Sequence, residues 1–300
     1  MKNQSNFLAY IFLLLTVTFW AGNFVVGKFA SLYEVPPFSL NFYRWFFAWL
    51  ILAPFTIPEI IKKKDYIIRN YKLFIVLGVT SITIFNSIVY YSLNFTQVIS
   101  GVLMISTIPV MIMFFSSILK IEKTNLFQVI GVILSFLGVI IIITKANFEI
   151  LKNLNFNKGD ITMVIAMLSW ALYSTLLKKQ KYEISQLSLL QVVMSFGLIF
   201  LIPIYFIEYQ LGFRITLEKP FILILSYVVL LPGLASFILW IKGISIIGAN
   251  RSGVFLHLMP IMSAIMAMII FNEKFMFYHM LGACFIITGI LLSNKKVLNA

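Results

Sequence analysis

The chain has 300 residues, 61% of them apolar and only 11% charged, with a formal net charge of +13. A water-soluble domain carries about 25% charged and 45–50% apolar residues, and even a large soluble core needs a polar skin, so this composition excludes a soluble protein and makes lipid the solvent. Basic residues stand in short clusters between apolar stretches, as at Lys62, Lys63, Lys64 and Arg69 or at Lys178, Lys179 and Lys181. Nucleic-acid binders instead gather Lys and Arg on one water-facing surface, and no nucleic-acid partner is expected.

About 20 apolar residues span the hydrocarbon layer. Ten stretches reach that length: 7–29, 38–57, 72–93, 97–119, 125–144, 159–179, 186–207, 220–241, 247–271 and 275–294. The first is too long for a signal-peptide core and lacks a small-residue cleavage site, so it is expected to be retained. In a bilayer each stretch must be helical, because lipid cannot satisfy an unpaired backbone. The expected fold class is therefore all-α, a polytopic membrane protein of ten transmembrane helices. The longer connections, near 58–71, 145–158 and 208–219, could not hold a soluble domain. Cys284 is the only cysteine, so no intrachain disulfide can form.

With the N-terminus in the cytoplasm, 15 basic residues fall on inside segments and 7 outside, Arg44 lying within helix two. That asymmetry places both termini inside, although the loop 145–158 runs against it.

In chain order, helix one presents Trp20 and Asn23 on one face, three residues apart. Helix two carries Arg44, about six residues in, with Asn41 a turn earlier. An arginine at a helix centre costs roughly 2.5–3.5 kcal/mol on insertion scales. It can snorkel to the headgroups, or face a cavity and pair with a carboxylate or phosphate. Helix three adds Asn86, Tyr90 and Tyr91, and helix four carries Pro109. Helix six repeats the first face as Trp170 and Tyr173. Helix eight holds Trp240 and Pro232-Gly233, a kink or break that can expose backbone groups to a ligand. His257 in helix nine shares a stripe with Gly253, Pro260 and Ala264. It reads as a substrate contact or proton switch, or as a histidine bonded to a neighbouring helix. The expected substrate-binding set is Trp20, Asn23, Arg44, Asn86, Tyr90, Tyr91, Trp170, Tyr173, Trp240 and His257, with hinges at Pro109, Pro260, Pro232 and Gly233. All ten acidic residues fall in loops or at helix ends. A carboxylate proton relay, which needs a buried acid, is therefore not expected, and Glu122 and Glu273 are assigned to capping or loop contacts. Zinc-type Cys/His spacing and a phosphate-cradling glycine loop are both missing from the sequence, so no metal or cofactor is expected.

The strongest signal is internal. Shifted by 151, Pro109 falls on Pro260, Glu122 on Glu273, Lys123 on Lys274, Gly131 on Gly282 and Gly138 on Gly289. Shifted by 150, Trp20-Ala21 falls on Trp170-Ala171 and Lys28 on Lys178. The chain reads as a duplication, 7–144 and 159–294. Five helices per copy is an odd number, so the second copy enters the membrane inverted. Inverted repeats with a midplane site between the halves are a common architecture of secondary transporters.

The same residues resemble the drug/metabolite transporter superfamily, in its ten-helix EamA-type branch. The pattern is carried by Phe19-Trp20-Ala21-Gly22-Asn23-Phe24-Val25 and its repeat Ser169-Trp170-Ala171-Leu172-Tyr173. In the second half Gly248-Ala249-Asn250-Arg251 is followed by Leu258-Met259-Pro260, Asn272-Glu273-Lys274, Gly282 and Gly289. A looser match runs through Ile108-Pro109, Ile121-Glu122-Lys123, Gly131 and Gly138. The resemblance implies ATP-independent transport of a small metabolite and leaves the substrate unspecified. The expectation is a secondary transporter or exporter in the cytoplasmic (inner) membrane, moving an amino acid or organic anion by alternating access, and not an enzyme. Its partners are a small-molecule substrate and the lipid bilayer. Coupling to a proton or ion and formation of a homodimer are left open. The alternatives are a membrane-embedded lipid-acting enzyme and a non-transporting receptor or scaffold.

Overall fold

Helix starts are set by capping side chains that satisfy otherwise orphaned backbone donors. Asn125 and Gln128 form a reciprocal capping box, as do Asn157 and Asp160, and Ser185 accepts from the Ser188 N–H. The computed structural model describes residues 2–95, 98–147, 149–152, 157–216, 218–271 and 274–295. Among these no strand occurs. We number the helices α1 (Lys2–Leu32), α2 (Pro37–Lys62), α3 (Tyr71–Ser92) and α4 (Val98–Ile105 and Ile108–Ile118). There follow α5 (Leu126–Ile143), α6 (Lys158–Leu176), α7 (Gln186–Gln210) and α8 (Lys219–Ile247). Last come α9 (Ala249–Gly253, Val254–Leu258 and Met259–Phe271) and α10 (Phe277–Ser293). The first eight are long and apolar enough to cross a membrane. In α9 a 3₁₀ turn at Val254–Leu258 interrupts the span, and α10 is 17 residues long. The molecule is a multi-pass, all-helical membrane protein. Asn272 and Glu273 lie outside the described residues.

Interruptions recur at matched places. A π-helical turn at Val79–Phe85 lies within α3, and another at Val229–Ala235 within α8. The expected break at Pro232-Gly233 is thus a π turn, and it has a proline-free counterpart 150 residues earlier. Pro109 stands one residue into the second piece of α4, and Pro260 one residue into the last piece of α9. Both occupy first-turn positions, where the missing N–H costs no intrahelical bond.

The two halves interdigitate. α1 packs on α8 and α9 of the second half, α6 packs on α3 and α4 of the first, and the equivalent pairs α2–α7 and α5–α10 pack on each other. These pairs run antiparallel, as inversion requires. Glu208, at the end of α7, accepts from the Phe38 and Ser39 amides (3.2 and 2.6 Å) and the Ser39 hydroxyl at the start of α2. Glu59, at the end of α2, accepts from the Ser185 amide (2.8 Å) and from the Ser185 and Ser188 hydroxyls at the start of α7. Between α5 and α10 backbones touch directly. A Cβ on Gly131 would lie 2.5 Å from the Gly289 carbonyl oxygen, and one on Gly138 would lie 2.6 Å from that of Gly282. Small residues permit this close approach in a membrane.

At the α9 start, Gly248 takes φ +89°, and the Glu122 carboxylate accepts from the Asn250 amide at 2.9 Å. Burial holds the Glu122 carboxyl above its ordinary range, opposed by this hydrogen bond and by Lys178 and Arg251.

Candidate functional site

Arg44 stands two turns into α2 and is 1% exposed, so it turns inward rather than snorkelling. Its Nη1 donates to Asn86 Oδ1 and to the Tyr90 hydroxyl, both at 2.8 Å, and its Nη2 donates to the Pro232 carbonyl at 2.9 Å. The Tyr90 hydroxyl in turn donates a hydrogen bond to Asn23 Oδ1 at 3.1 Å, and Asn86 Nδ2 donates to the Ser81 carbonyl at 2.7 Å. One chain of polar groups thus links α1, α2, α3 and α8. Two of its acceptors, the carbonyls of Ser81 and Pro232, belong to the two π turns, whose widened backbone offers oxygens to side chains.

Among the described residues the guanidinium has no carboxylate partner. The two ion pairs among the described residues join Lys63 to Glu183 and Lys152 to Glu149. Arg44 Nε is buried with no protein hydrogen-bond partner. Its positive charge rests instead on neutral dipoles and on the faces of Trp45 (4.9 Å to the ring centre) and Tyr90 (6.0 Å). A buried charge left so is costly, and an oxyanion would relieve it.

Beside Arg44 the two expected tryptophans meet. Trp20 and Trp170 contact edge to face with centroids 5.0 Å apart, and Trp240 lies 5.3 Å from Trp20. Tyr173 stands 5.0 Å from Trp170, its hydroxyl buried without a partner. Trp20 Nε1 donates to the Pro232 carbonyl at 3.1 Å, and Trp240 Nε1 to the Ser174 hydroxyl at 3.3 Å. Between these groups is a cavity of about 30 Å³ lined by Trp20, Asn23, Arg44, Asn86, Trp170 and neighbouring apolar side chains. That is room for water and far below the 300–1,000 Å³ of a metabolite pocket; the lining side chains have drawn together around a narrow space.

Of the sequence-derived set, Trp20, Asn23, Arg44, Asn86 and Trp170 line this cavity. Tyr90 positions Arg44, and Trp240 and Tyr173 back the tryptophans. Tyr91 points elsewhere, into a cavity of about 810 Å³ at one end of the molecule, against Phe38 and Phe95. His257 is fully buried outside the cavity lining. Its Nε2 donates to the Ser106 carbonyl at 2.9 Å and its Nδ1 lies 2.6 Å from the Ser135 hydroxyl, tying α9 to α4 and α5. Pro232 and Gly233 form the π turn that supplies Arg44's acceptor. Pro109 and Pro260 lie at the helix interruptions. Sequence reasoning did not single out Phe85, Val89, Ile105, Ile108, Leu256 and Met259. They are apolar residues in apolar helices, and only Ile108 and Met259 carried a signal, each preceding one of the matched prolines.

Two segments, 7–144 and 157–295, each match the model of the EamA-like transporter family. An uncharacterized transporter of Archaeoglobus fulgidus is 26% identical over 97% of this chain and 99% of its own length. The uncharacterized transporters YyaM and YetK of Bacillus subtilis are 24% and 25% identical, each over 96% of this chain and over 94% and 87% of their own lengths. A solved crystal structure superposes with a TM-score of 0.72 over 97% of this chain and 96% of its own, at 15% identity, a likeness of fold.

Proposed function

Because the chain belongs to the EamA-like transporter family, we propose that it is a secondary transporter for a small metabolite bearing a carboxylate or phosphate, an amino acid or organic anion, which it moves across the cytoplasmic membrane by alternating access. The observation that carries this reading is the buried, carboxylate-free guanidinium of Arg44 on the wall of a central cavity. Its unpaired Nε supports an oxyanion ligand, since charge-assisted bonds to arginine are strong and directional. Trp20, Trp170 and Phe85 would hold the apolar part of the substrate, and the amides of Asn23 and Asn86 would orient its polar part. The narrow cavity fits a conformer in which the site is not yet open to substrate. Antiparallel equivalent helices support two inverted halves, 7–144 and 159–294, rocking about that site, with both termini in the cytoplasm. A lipid-acting enzyme has less support: it needs a base at the membrane surface, and both nitrogens of the buried His257 are engaged.

The test is flux into proteoliposomes across amino acids, organic anions, phosphorylated metabolites and amines. At least one anionic or zwitterionic compound should move above the empty-vesicle level. Arg44→Gln should lower its uptake by about 10- to 100-fold, the worth of one hydrogen-bonded charge. Uptake confined to amines, or unchanged in Arg44→Gln, would overturn the reading.

A further inference from the structure

Away from the central cavity, a second concave site of about 620 Å³ opens where α6 ends, α7 begins and α8 ends. Its polar wall includes Lys178, Lys179 and Lys181, and its apolar wall includes Leu177, Leu189 and Ile241. Among the described residues no acid lines it. Lys178 Nζ donates to the Ser245 carbonyl at 3.0 Å, whereas Lys179 and Lys181 make no ion pair and are exposed. Of the acids around it, Glu183 pairs with Lys63, Glu59 accepts from Ser185 and Ser188, and Glu122 accepts from the Asn250 amide while also feeling the charge of Lys178. The site lies just beyond the last residue of α6 and the first of α7, where the apolar spans meet the headgroups.

By the same 150-residue offset Lys178 falls on Lys28, but Lys179 and Lys181 fall on Phe29 and Ser31, so those two lysines are not part of what the repeat preserves. Subtracting 150 from Lys181, Ile241 and Ser245 gives Ser31, Tyr91 and Phe95, three residues that line the 810 Å³ cavity at the opposite end. The fold makes the same hollow twice. At the other end the charged lining among the described residues is Glu34, Glu208 and Arg214, so among these residues the wholly cationic lining is found at the lysine-lined end. Cationic pockets between helices at the cytoplasmic headgroup level bind anionic lipid headgroups. Here the apolar wall is continuous with the lysines, as an acyl chain attached to a phosphate requires.

We infer that the cavity lined by Lys178, Lys179 and Lys181 binds a phosphate oxyanion, presented by the headgroup of an anionic phospholipid. The inference is independent of the central site.

The full-length protein is placed in nanodiscs of phosphatidylcholine with or without phosphatidylglycerol, and thermal stability and co-purified lipid are measured. A second arm adds inorganic phosphate to phosphatidylcholine-only discs. The lysine variant is K178Q/K179Q/K181Q. The control K62Q/K64Q/K72Q removes equal charge from exposed residues of the same face outside the cavity. Phosphatidylglycerol should raise the melting temperature of the wild type and the control. The cavity variant should lose that rise and retain roughly 10-fold less phosphatidylglycerol or below, given the attraction of each lysine to an anionic surface. Stabilisation by inorganic phosphate in the second arm, lost in the same variant, also supports the site and assigns it a soluble source. Equal loss of lipid in cavity variant and control, or no loss in either, overturns the proposal and leaves the lysines as topology signals. If the triple variant does not fold, Leu189→Trp, which fills the apolar wall, replaces it: phosphatidylglycerol retention unchanged in Leu189→Trp overturns the proposal.

Discussion

Arg44 and His257 are both buried and polar, and their hydrogen bonds separate their roles. Arg44 has more donors than partners and faces a cavity; His257 has a partner on each ring nitrogen and faces packed helices. From sequence, Arg44 could snorkel or turn inward, because six residues from a helix end permits both. What decides it is an amide, a phenol and a π-turn carbonyl on two other helices, which no local pattern reveals. For His257 the stripe of small residues pointed to a close helix crossing, and in the structure the imidazole bonds to Ser106 and Ser135 of neighbouring segments. Its Nε2–H is committed to the Ser106 carbonyl, so the Ser135 hydroxyl donates to Nδ1 in the neutral tautomer. His257→Ala would take the imidazole donor from the Ser106 carbonyl, while the Ser135 hydroxyl can turn to the Gly131 carbonyl at 2.8 Å, and should cost about 1–2 kcal/mol. The expected result is a lower melting temperature in detergent with an unchanged pH profile of uptake. A flattened or shifted pH profile at normal stability would instead make His257 part of the transport chemistry.

Among the elements, the two π turns aim the site. The α8 turn directs the Pro232 carbonyl at both Arg44 and Trp20, while the α3 turn holds Asn86 through the Ser81 carbonyl. Proline is not what makes such a turn, since Val79–Phe85 forms one without it. Pro232→Ala should therefore keep the carbonyl in place and leave uptake within about twofold of wild type. Gly233→Ala places a Cβ 2.7 Å from the Val228 carbonyl oxygen, a backbone atom that cannot step aside. The turn must shift, and the loss of one charge-assisted acceptor should reduce uptake about 10-fold or more. Uptake by the two variants in the same vesicles checks the contrast; equal loss in both would return the role to the proline. The break in α8 was legible in Pro232-Gly233. Its partner in α3 was not, because no proline marks it and Gly78, Thr80, Ser81 and Thr83 are small or hydroxyl residues that an ordinary membrane helix also carries; only carrying the 150-residue offset across would have exposed it. That offset also aligns Tyr91 with Ile241, where 151 would align it with Lys242. The helices themselves were legible because lipid forces apolar length into helix. The short α10 and the interrupted α9 show where composition stops specifying geometry.

At the scale of the whole molecule, α2 and α7 are fastened to each other at both ends by a carboxylate capping the other helix's start. Glu59 and Glu208 read in the sequence as ordinary terminal charges. The clue was arithmetic, since Glu59 and Glu208 are 149 apart, as are Ser39 and Ser188. The Glu208 clasp borders the 810 Å³ cavity, and the Glu59 clasp lies beside the lysine-lined one, at Ser185 next to Gln186. If the halves rock, the two ends open out of phase, and each clasp favours closure at its own end. A hydrogen bond to a charged group contributes about 1.5–3 kcal/mol, and about 1.4 kcal/mol changes a two-state ratio tenfold. Deleting one carboxylate should therefore shift the resting conformer towards opening at that end. The exposed Cys284 is first replaced by serine, and a reporter cysteine is introduced as Tyr91→Cys or Ser245→Cys, one in each end cavity. Glu208→Ala should speed maleimide labelling of the Tyr91→Cys reporter and slow that of the Ser245→Cys reporter, by roughly tenfold each. Glu59→Ala should do the reverse. Faster labelling of both reporters in both variants would mean that the clasps hold the fold together without setting which side is open, because loosening a structural brace exposes both ends alike whereas biasing a rocking equilibrium must close one end to open the other.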